Sequence, residues 1–124
     1  MIFAPIPDYL QKEYTMKGNK ITTVIVNYSF PKKMSRSETL ERFKQAAETF
    51  VGMDGLNSKQ FIYDELSGKC FSVYNWESRE KAEALFNDDF IADFERIVAT
   101  TPTFKMHDCL VMVDNRADDV VVWE

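Results

Sequence analysis

Alternating apolar and polar positions mark four segments of the chain as β-strands. Residues 21–30, ITTVIVNYSF, are rich in β-branched side chains and alternate between two faces. One face carries Val24, Val26, Tyr28 and Phe30, and the other carries Thr23, Ile25, Asn27 and Ser29. Segments 56–65 and 69–76 flank the turn-forming Leu66-Ser67-Gly68 and predict a hairpin, and a fourth strand is predicted over 103–115.

Apolar residues at helical spacing predict two helices between these strands. Ser35 and Glu38 have the spacing of a capping box at the start of the first helix, 35–51. Its apolar stripe consists of Leu40, Phe43, Ala47, Phe50 and Val51. Ser78 caps the second helix, and its stripe consists of Ala82, Leu85, Phe86, Phe90, Phe94, Ile97 and Val98. At Asn87-Asp88-Asp89 this second helix can break or begin again with a new cap.

The order of the elements, β-α-β-β-α-β, predicts a ferredoxin-like fold of the α+β class. In this fold two helices cover one face of a four-stranded antiparallel sheet, whose strands lie in the order fourth, first, third, second. Cys70 and Cys109 would then lie on strands that are not neighbours, so no disulfide is expected between them. Residues 1–20 are expected to form an arm and 21–115 the domain. The tail, 116–124, could contain an edge or exchanged strand at 120–123.

The sheet face that carries no helix predicts a second copy of the chain. This face would carry Thr23, Ile25 and Asn27 together with aromatic residues of the other strands. A mixed apolar face of that size is rarely left in water. Two copies that pack sheet against sheet about a twofold axis would cover it, so a homodimer is expected.

Composition and charge exclude several classes of partner. The chain has 124 residues, 45% of them hydrophobic, which suits one domain with a packed core. The net charge is −5, without a basic cluster, so a nucleic acid is not expected as a partner. No apolar run approaches the roughly 20 residues that a membrane-spanning helix needs. The first residues lack the basic region of a signal peptide, so a cytoplasmic protein is expected.

No catalytic motif or cofactor signature stands out in the sequence. The metal-binding HExxH, the nucleophile motif GxSxG, the P-loop and the Rossmann glycine pattern are all missing. Because the chain has a single histidine, metal sites built from several imidazoles are excluded. No flavin or nicotinamide signature is present, so we expect no cofactor and no metal.

Three polar residues on the predicted strands are candidates for the chemistry. Asn27 and Asn75 lie among apolar neighbours, where an amide is costly unless it is paired. Each could donate a hydrogen bond to a substrate carbonyl or oxyanion, or each could be a satisfied amide at a strand end or interface. His107 has a side chain that suits proton transfer near neutral pH, or it is simply exposed.

Four further residues are candidates for substrate binding. Trp76 ends a strand and can wall a pocket for a flat aromatic compound or fasten the strand to the helix. The phenols of Tyr28 and Tyr74 can donate to a ligand or serve the core. Arg79 can bind a carboxylate or form an exposed ion pair with Glu80 or Glu83.

The sequence resembles the dimeric α/β-barrel superfamily, in particular its monooxygenases of the YdhR type, which are related to the antibiotic-biosynthesis monooxygenase domains. The matching residues span roughly 21–115. They are Gly55-Leu56, Lys59, Asp64, Ser67-Gly68, Val73-Tyr74, Trp76-Glu77-Ser78-Arg79, Ala82-Glu83 and Val111-Met112-Val113-Asp114-Asn115. Phe71-Ser72 stands where the family often has two glycines, and such a Phe would reshape a pocket. The helix histidine of the haem-degrading relatives is missing, so haem degradation is not expected.

The resemblance implies a cofactor-independent monooxygenase acting on a small aromatic or polycyclic compound. Asn27 and His107 would be catalytic, and Tyr28, Tyr74, Asn75, Trp76 and Arg79 would bind the substrate. The alternative is a dimeric module without catalysis, which binds a hydrophobic metabolite or acts as a scaffold. An enclosed pocket with converging Asn, Tyr and His side chains would favour the enzyme. A cavity plugged by Phe71 would favour the scaffold.

Overall fold

The computed structural model describes residues 15–16 and 21–123. Its strands are β1 (Thr15–Met16), β2 (Ile21–Ser29), β3 (Leu56–Tyr63), β4 (Lys69–Trp76), β5 (Thr103–Cys109), β6 (Val111–Asp114) and β7 (Asp119–Val122). Its helices are α1 (Arg36–Phe50), α2 (Arg79–Leu85) and α3 (Asp88–Val98). Of the predicted arm, only residues 15–16 belong to the described part of the chain. The division into arm, domain and tail stays a prediction.

The main sheet has four antiparallel strands in the order β3-β4-β2-β5. In terms of the predicted strands this is second, third, first, fourth, so the ferredoxin-like order is confirmed. Gly68 has a φ of 75° in the hairpin between β3 and β4, a conformation that suits glycine. Cys70 and Cys109 are free thiols, since β2 separates their strands.

The helices pack on one face of this sheet. In place of the second predicted helix, the chain forms two shorter helices, α2 and α3. Ser35 and Ser78 cap α1 and α2 by accepting hydrogen bonds from the backbone amides of Glu38 and Lys81, each at 3.2 Å. The side-chain oxygen of Asn87 caps α3 through the Phe90 amide at 2.9 Å. The chain therefore restarts its helix at Asn87, one of the residues where the sequence allowed a new cap.

The core lies between the helices and the inward faces of the two central strands. It consists of Val24, Val26, Tyr74, Trp76, Ala82 and Phe86. The predicted helix stripes are only partly buried, because Leu40 is 53%, Ile97 67% and Val51 82% exposed. Among the described residues, no helix is long and apolar enough to cross a membrane.

A register shift in β3 changes which side chains face the helices. Leu56 pairs with Trp76, but Ser58 pairs with Asn75, so one additional residue is accommodated between them. Beyond the shift Lys59 pairs with Tyr74 and shares its face. Leu56 and Lys59, three positions apart, therefore both face the helices.

A second, smaller sheet is formed by β1, β7 and β6 in that order. The strand predicted over 103–115 is interrupted at Leu110, whose carbonyl accepts a hydrogen bond from the Trp123 amide at 2.9 Å. Strand β6 then pairs antiparallel with β7, which lies between β6 and β1. Val121 and Trp123 are buried there, so part of the predicted tail is packed against the rest of the chain.

Candidate functional site

A cavity of about 420 Å³ lies between the main sheet and helices α1 and α3. Most of its wall is apolar and aromatic. The aromatic residues that line it are Tyr28, Phe30, Phe43, Phe50, Phe61, Phe90 and Phe94. Its size and lining are typical of a site for a small organic molecule.

The cavity exists because a small side chain occupies an inward position of β4. The inward residues of this strand are Cys70, Ser72, Tyr74 and Trp76, all buried. Ser72 lines the cavity and leaves room above the sheet where a larger residue would fill it. Its neighbour Phe71 points to the opposite face of the sheet, because successive side chains of a strand alternate. Phe71 therefore does not plug this cavity.

Tyr28 is the one sequence-predicted site residue that lines the cavity. Burial, and to a lesser extent Cys70, raises the pKa of its phenol above the ordinary range, although a hydrogen bond with Ser72 acts in the opposite direction. Tyr28 is therefore a neutral phenol at physiological pH. Its ring lies edge-on to that of Phe94, with 5.0 Å between the centroids.

Lys59 also lines the cavity, and sequence reasoning did not select it as a site residue. Its Nζ lies 3.5 Å from the ring centroid of Phe50, 4.0 Å from that of Phe61 and 4.3 Å from that of Tyr74. Burial lowers the pKa of this amine from 10.5 to about 7, although the aromatic faces attract its charged form. No carboxylate within 21–123 forms an ion pair with it. The sequence contains one indication of this position: Lys59 alternates in phase with Phe61 and Tyr63 and so shares their face of the strand.

The remaining charged residues of the cavity wall have partners of their own. The guanidinium of Arg42 lies over the Phe30 ring, 4.9 Å from its centroid. The carboxylate of Asp93 accepts a hydrogen bond from Arg96 at 2.7 Å on the exposed side of α3. Within the described part of the chain, no group of three or more His, Cys, Asp or Glu side chains could hold a metal ion.

Tyr74 and Trp76 belong to the core and lie outside the cavity wall. The Tyr74 hydroxyl and the Trp76 Nε1 are buried without a hydrogen-bond partner among the described residues. Burial, followed by the nearby Tyr28, raises the pKa of Tyr74 above its ordinary range. The Tyr74 ring stacks on Trp76 with 6.2 Å between centroids. Lys59 Nζ lies over the same Tyr74 ring.

Asn27, Asn75 and His107 occupy the other face of the sheet, which carries no helix and is called the open face below. The Asn75 oxygen accepts from Thr23 Oγ1 at 2.8 Å, and its Nδ2 donates to Ser58 at 3.2 Å. Asn75 is thus a satisfied amide that joins three strands. His107 is exposed beside Thr23. The catalytic role of Asn27 and His107 stays a prediction, and it would belong to the open face.

Arg79 lies at the start of α2 and is exposed. Its Nε donates to Glu83 at 3.1 Å, and its Nη1 lies 3.9 Å from the carboxylate of Asp108. The pair with Glu83 is one of the two ion pairs considered from the sequence. Arg79 does not line the cavity, so binding of a substrate carboxylate by it stays a prediction.

The unpaired hydroxyl of Tyr74 leads to a stability prediction with a matched control. Replacing Tyr74 with Phe removes a buried hydroxyl that lacks a partner among the described residues, so the free energy of unfolding should stay constant or rise by up to about 1 kcal/mol. Tyr63→Phe should instead lower it by about 1 kcal/mol, because that hydroxyl donates to the Met34 carbonyl at 2.7 Å. Urea unfolding of both variants checks this. A loss for Tyr74→Phe as large as that for Tyr63→Phe would mean that the Tyr74 hydroxyl is paired.

Comparison with known proteins gives matches at the level of structure. No protein-family model matches the chain. No curated protein matches it either. The chain is similar to a mutant form of SnoaB, a cofactor-independent oxygenase of Streptomyces nogalater. The identity is 14%, the TM-score is 0.52, and the match covers 74% of this chain and 94% of SnoaB.

Two further solved structures are similar over most of their length. A monooxygenase of Streptomyces coelicolor, solved with nanaomycin D, has 11% identity and a TM-score of 0.55, with coverage of 71% of this chain and 86% of that one. A haem-degrading protein of Mycobacterium tuberculosis, solved free of haem, has 19% identity and a TM-score of 0.57, with coverage of 78% and 99%. At such identities the likeness shows a shared fold. The resemblance found in the sequence is confirmed at that level: the chain shares the ferredoxin-like α+β fold of these solved structures.

Proposed function

We propose that the chain is a monooxygenase-like protein without a cofactor, and that it acts on a small aromatic or polycyclic compound in the cavity between helices and sheet. The aromatic cavity of about 420 Å³ is the observation that carries this proposal. An apolar, partly closed site excludes water and suits flat apolar molecules. Among the polar residues that line it, Lys59, Tyr28 and Ser72 are the least exposed.

The chemistry of such an enzyme can come from the substrate itself. A substrate with an acidic CH₂ group between aromatic rings loses a proton, and the resulting anion supplies electrons to O₂. In the complete reaction the CH₂ becomes C=O, and the second oxygen atom leaves as water with the two hydrogens. The substrate is oxidised and O₂ is reduced, so no further reductant is required. The protein has to bind the compound, favour its anion and keep water away.

Two of the structural neighbours support this choice of chemistry. SnoaB is described as a cofactor-independent oxygenase, and the monooxygenase of Streptomyces coelicolor was solved with nanaomycin D. Both share the fold of this chain over at least 86% of their own length. A fold alone does not determine an activity, so the cavity has to be tested directly.

The proposed assembly is a homodimer that packs open face against open face. That face carries the half-buried Ile25, Phe71 and Val73, together with the hydrogen-bonded Asn75. Apolar side chains of three neighbouring positions around a satisfied polar group suit a self-complementary interface. Asn27 and His107 would then lie at or near the contact between the two copies.

The alternative function is binding of a hydrophobic metabolite without turnover. One observation favours it: Asn27, Asn75 and His107 do not converge with Tyr28 in the cavity. The alternative shares the ligand site with the leading proposal and differs only in the fate of the ligand. Consumption of O₂ in the presence of a bound compound therefore separates the two.

The test combines binding with O₂ uptake. Phenol, 1-naphthol and anthrone offer one, two and three rings, and their binding to flavin-free, EDTA-treated protein is measured by calorimetry. An O₂ electrode then records turnover, and anthrone should yield anthraquinone. Binding of anthrone, which carries such a CH₂ group, without O₂ uptake would establish the alternative. Failure of all three compounds to bind would contradict a ligand site in this cavity.

A cavity-filling variant tests whether the compound binds where we propose. Ala46 lines the cavity and is exposed, so Ala46→Trp should occupy the space without disturbing the core. We expect at least about tenfold weaker binding, equivalent to about 1.4 kcal/mol. Ala84 is exposed on α2 away from the cavity, and Ala84→Trp should bind like the unmodified protein. Equal affinity of the two variants would place the ligand elsewhere.

A further inference from the structure

The positive charge that Lys59 carries when protonated has no anionic partner among the described residues of the cavity wall. Three aromatic rings hold Nζ within 3.5 to 4.3 Å of their centroids. These rings can attract a cation but cannot accept its protons in strong hydrogen bonds. A half-buried ammonium that no carboxylate of residues 21–123 pairs with is therefore in an unfavourable site, and an anion brought in by a ligand would relieve it.

The other charged or titratable groups that line the cavity or contact Lys59 cannot take this role. Tyr28 on β2 and Tyr74 on β4 are neutral phenols with raised pKa values. Arg42 on α1 lies over Phe30, and its guanidinium does not release its proton in proteins. Asp93 on α3 is paired with Arg96. Among the described residues of the cavity wall, Lys59 remains as the group that can exchange a proton near neutral pH.

We infer that Lys59 accepts the proton of a weakly acidic aromatic ligand and then holds the resulting anion, so that the cavity selects phenols and enols over neutral aromatic compounds of the same shape. In this step the ligand O–H bond breaks, its electron pair stays on oxygen, and a new N–H bond forms on Lys59. The inference rests on the proposed function in taking the same cavity as the ligand site. It does not require that the ligand be oxidised afterwards.

The charge state of the free amine supports this step. With a pKa of about 7, a large fraction of Lys59 is neutral at physiological pH and can accept a proton. Once protonated it faces the new oxyanion in an apolar site, where a charge-assisted hydrogen bond is stronger than in water. An ordinary exposed lysine would be protonated already and could offer only its charge.

The first experiment compares 1-naphthol with 1-methoxynaphthalene, which has the same rings but no acidic hydrogen. The unmodified protein should bind 1-naphthol at least about tenfold more tightly, because the ether has no proton to give to Lys59 and cannot form the charge-assisted hydrogen bond of the bound anion. The absorption spectrum of the bound compound should be that of naphtholate. Lys59→Met should bind both compounds equally and leave naphthol neutral. Lys32→Met, at an exposed position that does not line the cavity, should retain the preference.

A second variant separates proton acceptance from charge alone. Lys59→Arg retains a cation that does not titrate near neutral pH. The affinity of the Lys59→Arg variant for 1-naphthol should rise about tenfold per pH unit until the ligand itself ionises. In the unmodified protein the affinity should rise only up to about pH 7, where the free amine becomes neutral, and then stay constant. The same slope in both proteins above pH 7 would contradict proton acceptance by Lys59.

Protein stability provides a readout that involves no ligand. The folded chain holds Lys59 neutral above about pH 7, whereas the unfolded chain keeps it protonated up to about its ordinary value of 10.5. Unfolding therefore takes up a proton in this interval, and the free energy of unfolding should rise with pH. The rise should appear between pH 7 and 9 in urea unfolding and should be smaller in Lys59→Met. An unchanged rise in Lys59→Met would mean that this amine is not desolvated.

The outcomes distinguish this inference from the proposed function. Tight, Lys59-dependent binding of 1-naphthol, together with binding of anthrone without O₂ uptake, would support the inference and contradict the oxygenase. Equal binding of 1-naphthol and its methyl ether would overturn the inference and leave the cavity as a ligand site. Failure of both compounds to bind would overturn the inference, and failure of phenol and anthrone as well would contradict both proposals.

Discussion

Replacing Trp76 with alanine is expected to lower the free energy of unfolding by about 3–5 kcal/mol. The side chain is 1% exposed. Its ring stacks on Tyr74 and lies edge-on to Phe86, with 6.1 Å between the latter centroids. These neighbours are held by β4 and α2 and cannot close the space that the ring would leave. Urea unfolding followed by far-UV circular dichroism measures the loss.

Two matched variants define the scale for this result. Trp76→Phe keeps an aromatic ring in the same place and should cost roughly 1–2 kcal/mol, since no hydrogen bond of the Trp76 Nε1 to the described residues is lost. Leu66→Ala, at a position that is 93% exposed, should stay within about 0.5 kcal/mol of the unmodified protein. A loss below about 1 kcal/mol for Trp76→Ala would mean that this ring does not fill the core.

Placing an aspartate at Ile25 is expected to separate the proposed dimer into single copies at micromolar concentration. Ile25 lies on β2, a central strand, on the open face. In a twofold interface the substitution introduces two carboxylates into one desolvated patch, which costs several kcal/mol. The dissociation constant should therefore rise by about a thousandfold or more. Sedimentation velocity measures the change, and circular dichroism verifies that the fold is retained.

The control for this variant places the same residue outside the sheet. Val51 is 82% exposed at the end of α1, and Val51→Asp should sediment like the unmodified protein. If the unmodified protein itself sediments as a single copy at micromolar concentration, the proposed dimer is wrong. If Ile25→Asp remains a dimer, the copies meet through another surface.

The fold could be predicted from the sequence because its signals are local and mutually consistent. Alternation in 21–30 gave both the strand and the correct division of its two faces. Glycine at position 68 indicated the hairpin, and Ser35 and Ser78 marked the helix starts that the structure has. The β-α-β-β-α-β order then determined which strands become neighbours.

The site was harder to predict, because it depends on where each face of the sheet points. Asn27 alternates in phase with Thr23 and Ile25, which were already assigned to the face without helices. That phase separates Asn27 from Tyr28, whereas the rarity of an amide within a strand gives no information on which face the side chain occupies. Lys59 shares its face with Leu56 through a register shift in β3, and no residue type in 56–59 predicts that shift.

Helical periodicity also did not predict which residues of α1 are buried. Leu40 and Val51 continue the apolar stripe of α1 but are exposed. Thr39, which the stripe did not include, is buried, and its hydroxyl donates to the Ser35 carbonyl at 2.8 Å. The interruption at Leu110 likewise depends on pairing with Trp123, which lies well beyond it along the chain.

The new helix start at Asn87 separates α2 from α3, and the two helices contribute to different parts of the structure. Ahead of it, α2 contributes Ala82 to the core, and Phe86 follows directly. Behind it, α3 contributes Phe90, Phe94 and three other residues to the cavity wall. Related sequences can therefore change the cavity-lining residues of α3 and acquire a differently shaped binding space while Ala82 and Phe86 stay constant. We expect sequence drift within such a lineage to concentrate after Asn87.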